Sequence, residues 1–161
     1  MSSRIAVIAI TVFLSLSGSG SCDSRLPYTD TVNLIQKLLP DISSDVRKES
    51  YSYIKFNECI LDYTVQGTFP AGTPYDIKYR AIDFSSLNYE VSKVGDSSHD
   101  NSNFIILNFN NSIRHISDSR ELTVRTIVID AASYGQAQEL FKAFLHLGEL
   151  CGAGKTQQQG R

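Results

Sequence analysis

Cys22, Cys59 and Cys151 are the thiols of this sequence and its most reactive side chains. Cys22 follows Ser19-Gly20-Ser21 at the end of an apolar N-terminal run, and Ser19 and Ser21 are the small residues a signal-peptidase cut requires. The same four residues look like a degenerate bacterial lipobox, in which the cysteine becomes the lipidated first residue. They depart from it at Ser19, where an aliphatic residue is usual. An odd cysteine count in an exported chain leaves one thiol to explain, and lipidation of Cys22 would leave an even pair. For Cys59 and Cys151 the economical reading in an oxidising compartment is a disulfide, with two buried thiols the plain alternative. A catalytic cysteine would need a matched histidine and an orienting acid, and nothing nearby in the sequence supplies them.

The remaining candidates carry less. Gly152-Ala153-Gly154-Lys155-Thr156 ends like a phosphate-binding loop, but Glu149 stands where the first glycine belongs. A helix precedes it as well, and too little chain remains to form the helix that should follow. His99 lies with Asp96 and Asp100 in a polar stretch without zinc or EF-hand spacing, which reads as a solvated loop. His115 flanks a strand and His146 falls off an apolar helical stripe, so both are read as surface or hydrogen-bonding residues. Asn110-Asn111-Ser112 matches a glycosylation acceptor, which matters only for a eukaryotic source. No cofactor or metal site is expected.

Fifteen basic against seventeen acidic residues give a formal charge of −2, and no residue cluster forms the basic surface that nucleic acid or an anionic membrane requires. With 161 residues the chain fits one domain, and an apolar fraction of 42% supplies a core. Arg4 followed by a run of about a dozen apolar residues and then Ser/Gly-rich sequence is a secretory signal, well short of the roughly 20 residues a membrane-spanning helix needs. Residues 1–21 are therefore read as a signal peptide, and any membrane attachment as a lipid anchor on Cys22.

The elements that must position these residues follow from periodicity. Residues 22–49 hold a tether and a short amphipathic helix, with N-cap chemistry at Thr29-Asp30-Thr31, apolar Val32, Ile35, Leu38 and Leu39, and Pro40 as its stop. From residue 50 the period becomes two. Strands are expected at residues 50–56 and 59–65, either consecutive or as one long bent strand, and at 75–82, 88–94, 104–109, 113–116 and 122–129. Turns are expected at residues 67–74 and 110–112, and a polar loop at 95–103. Residues 131–151 form the clearest helix, with Ala137, Leu140, Phe141, Phe144, Leu147, Gly148 and Cys151 on one stripe and Gly152 at the cap. Residues 153–161 read as a disordered tail. Strands without intervening helices pair antiparallel, and the helix must bury its stripe on them. The expected fold is α+β: a six- to seven-strand antiparallel sheet or split barrel packed by one long C-terminal helix, with a short N-terminal helix. Alternation puts Cys59 on the face of Leu61, Tyr63 and Val65, so Cys151 at the end of the helix can meet it.

The segments Phe56-Asn57-Glu58-Cys59-Ile60-Leu61 and Ile82-Asp83-Phe84-Ser85-Ser86-Leu87, with the ending from Ala137 to Gly152, resemble a loose group of uncharacterised bacterial exported domains. Those domains have a pleckstrin-homology-like look, and the likeness covers roughly residues 50–152. It implies the same sheet-and-helix fold and supports the Cys59/Cys151 pair, and brings no activity with it. The expectation is a non-enzymatic module of the bacterial cell envelope, lipid-anchored or periplasmic, or else secreted, binding a protein, peptide or lipid. The alternative is a carrier that encloses a small apolar ligand in a lipocalin-like barrel. Intact-mass analysis of protein from a bacterial envelope should show a chain beginning at a modified Cys22. Retention of residues 1–21 would contradict export, and an unmodified Cys22 would remove the anchor alone.

Overall fold

The structure, a computed structural model, describes residues 26–45, 47–69, 71–97, 102–118 and 120–154. Cys22 with the signal segment, His99, Asp100, and Lys155 with the rest of the tail lie outside the described residues. In chain order the elements are α1 (Tyr28–Leu38), β1 (Ser50–Asn57), β2 (Ile60–Thr68), β3 (Pro74–Asp83), β4 (Lys93–Ser97), β5 (Ser102–Ser117), β6 (Arg120–Ala131) and α2 (Tyr134–Leu150). The six strands form one antiparallel sheet in the order β1-β2-β3-β5-β4, with β6 on the other flank of β5. β3 and β4 share one flank of β5: β3 runs along residues 114–117 and β4 along residues 102–106.

The strands form where β-branched and aromatic residues alternate with polar ones, and they bend where the alternation is broken. Pairing slips between Ser52 and Lys55 of β1, where Tyr53 takes φ 54°, and between Leu61 and Tyr63 of β2, opposite Ala81 at φ 60°. Asp62 holds the second bend by accepting the Ala81 N–H through Oδ1 at 2.8 Å. A third irregularity corrects an expectation. Asn110-Asn111-Ser112 is not a turn but part of β5, because β6 pairs with β5 on both sides of it, with Asn108 opposite Thr126 and Ile113 opposite Val124. Side chains pin the extra residues: Asn88 donates to Asn110 at 3.3 Å and Asn111 to Asp83 at 3.2 Å.

Other boundaries move for local reasons. Residues 89–91 are turn, so the strand expected at 88–94 begins at Lys93 and takes in Gly95, Asp96 and Ser97 from the expected polar loop. Asn88 is drawn out of the strand by bonding elsewhere: its N–H donates to the Asn108 carbonyl at 2.8 Å, and its own carbonyl accepts from Ser92 Oγ at 2.7 Å. The hairpin after β2 is tighter than residues 67–74, closing on Phe69 N–H to Thr73 O at 2.8 Å. α1 begins at Tyr28, directly after Pro27, whose fixed φ suits a helix start. Thr31 is therefore inside the helix, its hydroxyl bonded to the Pro27 carbonyl at 3.1 Å. Ala131 ends β6, and α2 starts after Ser133, whose Oγ accepts the Gln136 N–H at 3.2 Å.

α2 buries Ala137, Leu140, Ala143, Phe144, Leu147 and Gly148. Phe144 stacks on Phe84 at 5.6 Å, and Phe84 meets Phe109 of β5 edge-on at 5.7 Å. Ile35 of α1, with Leu39 and Ile42 after it, is buried in the same core. His146 is buried as well, contrary to its placement off the stripe, because α1 and the segment before it cover that side of α2. Its Nε2 lies 2.8 Å from the Leu26 carbonyl and its Nδ1 3.5 Å from Glu149. The helix ends in a Schellman cap, with Gly152 at φ 87° and Ala153 N–H bonded to the Gly148 carbonyl at 2.9 Å.

Cys59 and Cys151 are joined in a disulfide, with Cα atoms 5.8 Å apart. Cys59 does not share the strand face of Leu61. It lies in the two-residue turn between β1 and β2, with Glu58 at φ 51°, because Asn57 already pairs with Ile60. The same turn is held twice more: Tyr28 of α1 donates to the Glu58 carbonyl, and Phe84 N–H donates to the Cys59 carbonyl at 3.0 Å. The bridge closes a sequence separation of 92 residues. A loop of that order is worth about 4–5 kcal/mol in the chain-entropy treatment. Thermal unfolding with and without reductant should therefore show a clear loss of stability, matched by the Cys59→Ala/Cys151→Ala variant. An unchanged melting temperature in both would refute the bridge as a structural constraint.

Candidate functional site

Away from the disulfide, a cavity of about 770 Å³ opens to solvent. The segment of residues 47–49, the β2–β3 hairpin, and the adjoining ends of β5 and β6 line it. Its floor includes Val65, Ile77, Tyr79 and Phe104, and its exposed rim includes Arg47, Lys48, Phe69 and Val128. This is the size range of small-ligand pockets.

Two glycines make room for the aromatic walls. Gly67 of β2 lies opposite Tyr75 of β3, and a Cβ at Gly67 would stand 2.5 Å from the ring carbon bearing the hydroxyl. Gly95 of β4 lies opposite Phe104 of β5, and a Cβ there would stand 2.5 Å from that ring. In both cases an aromatic ring lies flat across a strand that has no side chain at that point.

The polar groups are organised around two carboxylates. Glu49 accepts from Tyr75 Oη at 2.5 Å through one oxygen and from Tyr51 Oη through the other. Asp130, 4% exposed, accepts the Ser44 N–H at 2.8 Å and the Ser44 hydroxyl at 2.5 Å. Arg47 approaches its other oxygen at 3.9 Å. Tyr51 links the Glu49 carboxylate to the Asp130 backbone, because its oxygen also accepts the Asp130 N–H at 3.0 Å. Behind the floor runs a chain of rings: Tyr51 to Tyr63 at 6.1 Å, Tyr63 to Tyr79 at 5.1 Å, and Tyr79 to His115 at 5.2 Å. The Tyr63 hydroxyl and His115 Nδ1 are buried without a hydrogen-bond partner. Burial pushes the hydroxyls of Tyr51, Tyr63, Tyr75 and Tyr79 above the ordinary tyrosine value, and the Glu49 charge adds to it in all four. A second groove, of about 400 Å³, lies between β4 and α2 and is lined by Val94, Phe141 and Leu145.

The residues singled out by chemistry lie elsewhere. Cys59 and Cys151 are structural, and Gly152 to Gly154 belong to the helix cap. His146 serves the α1–α2 contact, while His115 is a half-buried residue within β5. Neither described histidine is hydrogen-bonded to a serine or cysteine. Among the described residues no group of three or more His, Cys, Asp or Glu side chains could hold a metal ion, and no helix is long and apolar enough to cross a membrane. Sequence reasoning missed Glu49, Asp130 and the tyrosines. Gly67 opposite Tyr75 is a signal for that tyrosine alone, and Glu49 and Asp130 carry none. Compared with protein-family profiles, curated proteins and solved structures, the chain matches none of them.

The tyrosine cluster dictates a response to alkali. These hydroxyls keep their protons in the folded state above the pH of about 10 at which free tyrosine loses them. The stability they contribute is complete below that pH and falls as pH rises through the raised folded values. Tyr63→Phe removes a buried hydroxyl without a partner, so it should change stability at neutral pH by less than about 1 kcal/mol. It should also shift the alkaline unfolding midpoint upward. Denaturant unfolding across pH 7–12 checks both, and an unmoved alkaline midpoint would contradict this account of the cluster.

Proposed function

We propose that this chain is an exported, non-enzymatic binding module of the bacterial cell envelope, pleckstrin-homology-like in fold and anchored through a lipid on Cys22. Its cavity takes a small single-chain amphiphile. The observation that carries the reading is the open cavity of about 770 Å³, with apolar and aromatic walls and two hydrogen-bonded carboxylates. Val65, Ile77, Phe104 and Val128 offer the apolar surface an acyl chain would cover. Glu49 and Asp130 are already held by Tyr75, Tyr51 and Ser44, so they shape the wall and leave the head group to the rim, where Arg47 and Lys48 stand. These polar groups favour an amphiphile over the purely apolar cargo of a lipocalin-like carrier. The disulfide supports the exported setting, because such bonds persist in oxidising compartments.

The test is titration with an environment-sensitive fluorescent amphiphile, 1-anilinonaphthalene-8-sulfonate, followed by competition with lysophospholipids and fatty acids. Saturable binding is expected, weakened at least about tenfold by Val128→Trp, whose ring would fill the mouth from an exposed position. No saturable binding, or binding indifferent to Val128→Trp, would overturn the assignment of the cavity.

A further inference from the structure

The flank of β6 that faces away from β5 is an open sheet edge, and its sequence is complementary to itself. Among the described residues β6 pairs with β5 alone. The end of this edge next to α2 is covered, because the Asp130 N–H donates to Tyr51 and the Ala132 N–H to the Ile42 carbonyl. From Arg120 to Thr126 nothing described covers it, and Leu122 is 59% exposed. The Asp130 N–H points away from β5, so strand alternation turns the N–H and C=O of Val128, Thr126, Val124 and Leu122 the same way. Those groups are a template for another strand.

We propose that the edge is occupied by a second copy of this chain, with β6 pairing antiparallel to β6 about a two-fold axis at Thr123. This register puts Leu122 opposite Val124 of the second copy, both with outward backbone groups, as a hydrogen-bonded antiparallel pair requires. It also puts Glu121 opposite Arg125 on the other face, and symmetry makes each pair twice. Neighbouring axes lose this match. An axis at Arg125 sets that arginine against itself, one at Val124 sets Glu121 against Ile127, and one at Leu122 sets Glu121 against Thr123. The Glu121 carboxylate is already oriented on this face by the forked contact from Arg114, at 2.5 and 3.1 Å. None of residues 120–126 lines the cavity, so pairing along this edge is independent of a ligand there.

Sedimentation analysis of the exported protein at concentrations up to about 0.1 mM should show a monomer–dimer equilibrium. Arg125→Glu sets Glu121 against a second carboxylate and should raise the dimer dissociation constant at least about tenfold. Leu122→Pro removes an outward N–H that β5 does not use, and should do the same while leaving the circular dichroism spectrum unchanged. The double variant Glu121→Arg/Arg125→Glu restores opposite charges and should restore dimerisation, which a merely misfolded variant would not do. A protein that stays monomeric throughout this range overturns the proposal. So does a dimer indifferent to both single changes, or one that the double exchange fails to recover.

Discussion

The two-residue turn at Glu58 and Cys59 is where the layers of this protein are tied together. It belongs to the first hairpin of the sheet, yet it is bonded covalently to Cys151 at the end of α2, by hydrogen bond to Tyr28 of α1, and through the Cys59 carbonyl to Phe84 N–H. Both helices are thereby referred to one point on the sheet. α2 alone would fray at its last turn, where helical carbonyls lose their partners. The Schellman cap and the disulfide fall within three residues of each other and remove that weakness. Phe84, fixed beside the turn, can then stack on Phe144 and meet Phe109, and these contacts connect the helix to β5.

With the helices held at one end, the other end of the sheet is left open, and there the cavity lies. The bends at Tyr53 and Ala81 and the irregularity before Ile113 let strands of eight to sixteen residues curve without losing their pairing. Non-glycine residues at positive φ are costly, so each bend depends on surrounding bonds such as that from Ala81 N–H to Asp62. Glu49 and Asp130 satisfy the tyrosine hydroxyls and backbone groups that would otherwise face a partly buried surface alone. The wall is hydrogen-bonded and its mouth is open to solvent, and the amphiphile and the second copy are the proposed occupants of the cavity and of the β6 edge.

Much of the fold was legible because it is local. Period-two alternation located β1, β2, β3 and β6 to within a few residues, and the apolar stripe from Ala137 to Gly148 located α2 and the face it buries. The Cys59–Cys151 pairing could be read from the cysteine count and from rough register, although the register itself was off: Cys59 sits in the turn, and an alternation rule does not apply across a hairpin loop. Asn110-Asn111-Ser112 failed for a different reason. Turn residues state only what the backbone can do there, and β6 pairing on either side decided what it did.

The amphipathic helix, the strand-rich body and the disulfide-bearing cysteines were thus determined by residue type and spacing along the chain. The cavity was not, because Glu49, Tyr75, Phe104 and Asp130 are distant in sequence and none carries a motif; only the curvature of the sheet brings them to one wall. The burial of His146 was decided in the same way, by α1 and Leu26 packing on a side of α2 that its own sequence marks as polar. Local propensity acts over a few residues, whereas a site assembled from four strands and a loop depends on which edges pair and where they bend, and that is settled only when the whole sheet forms.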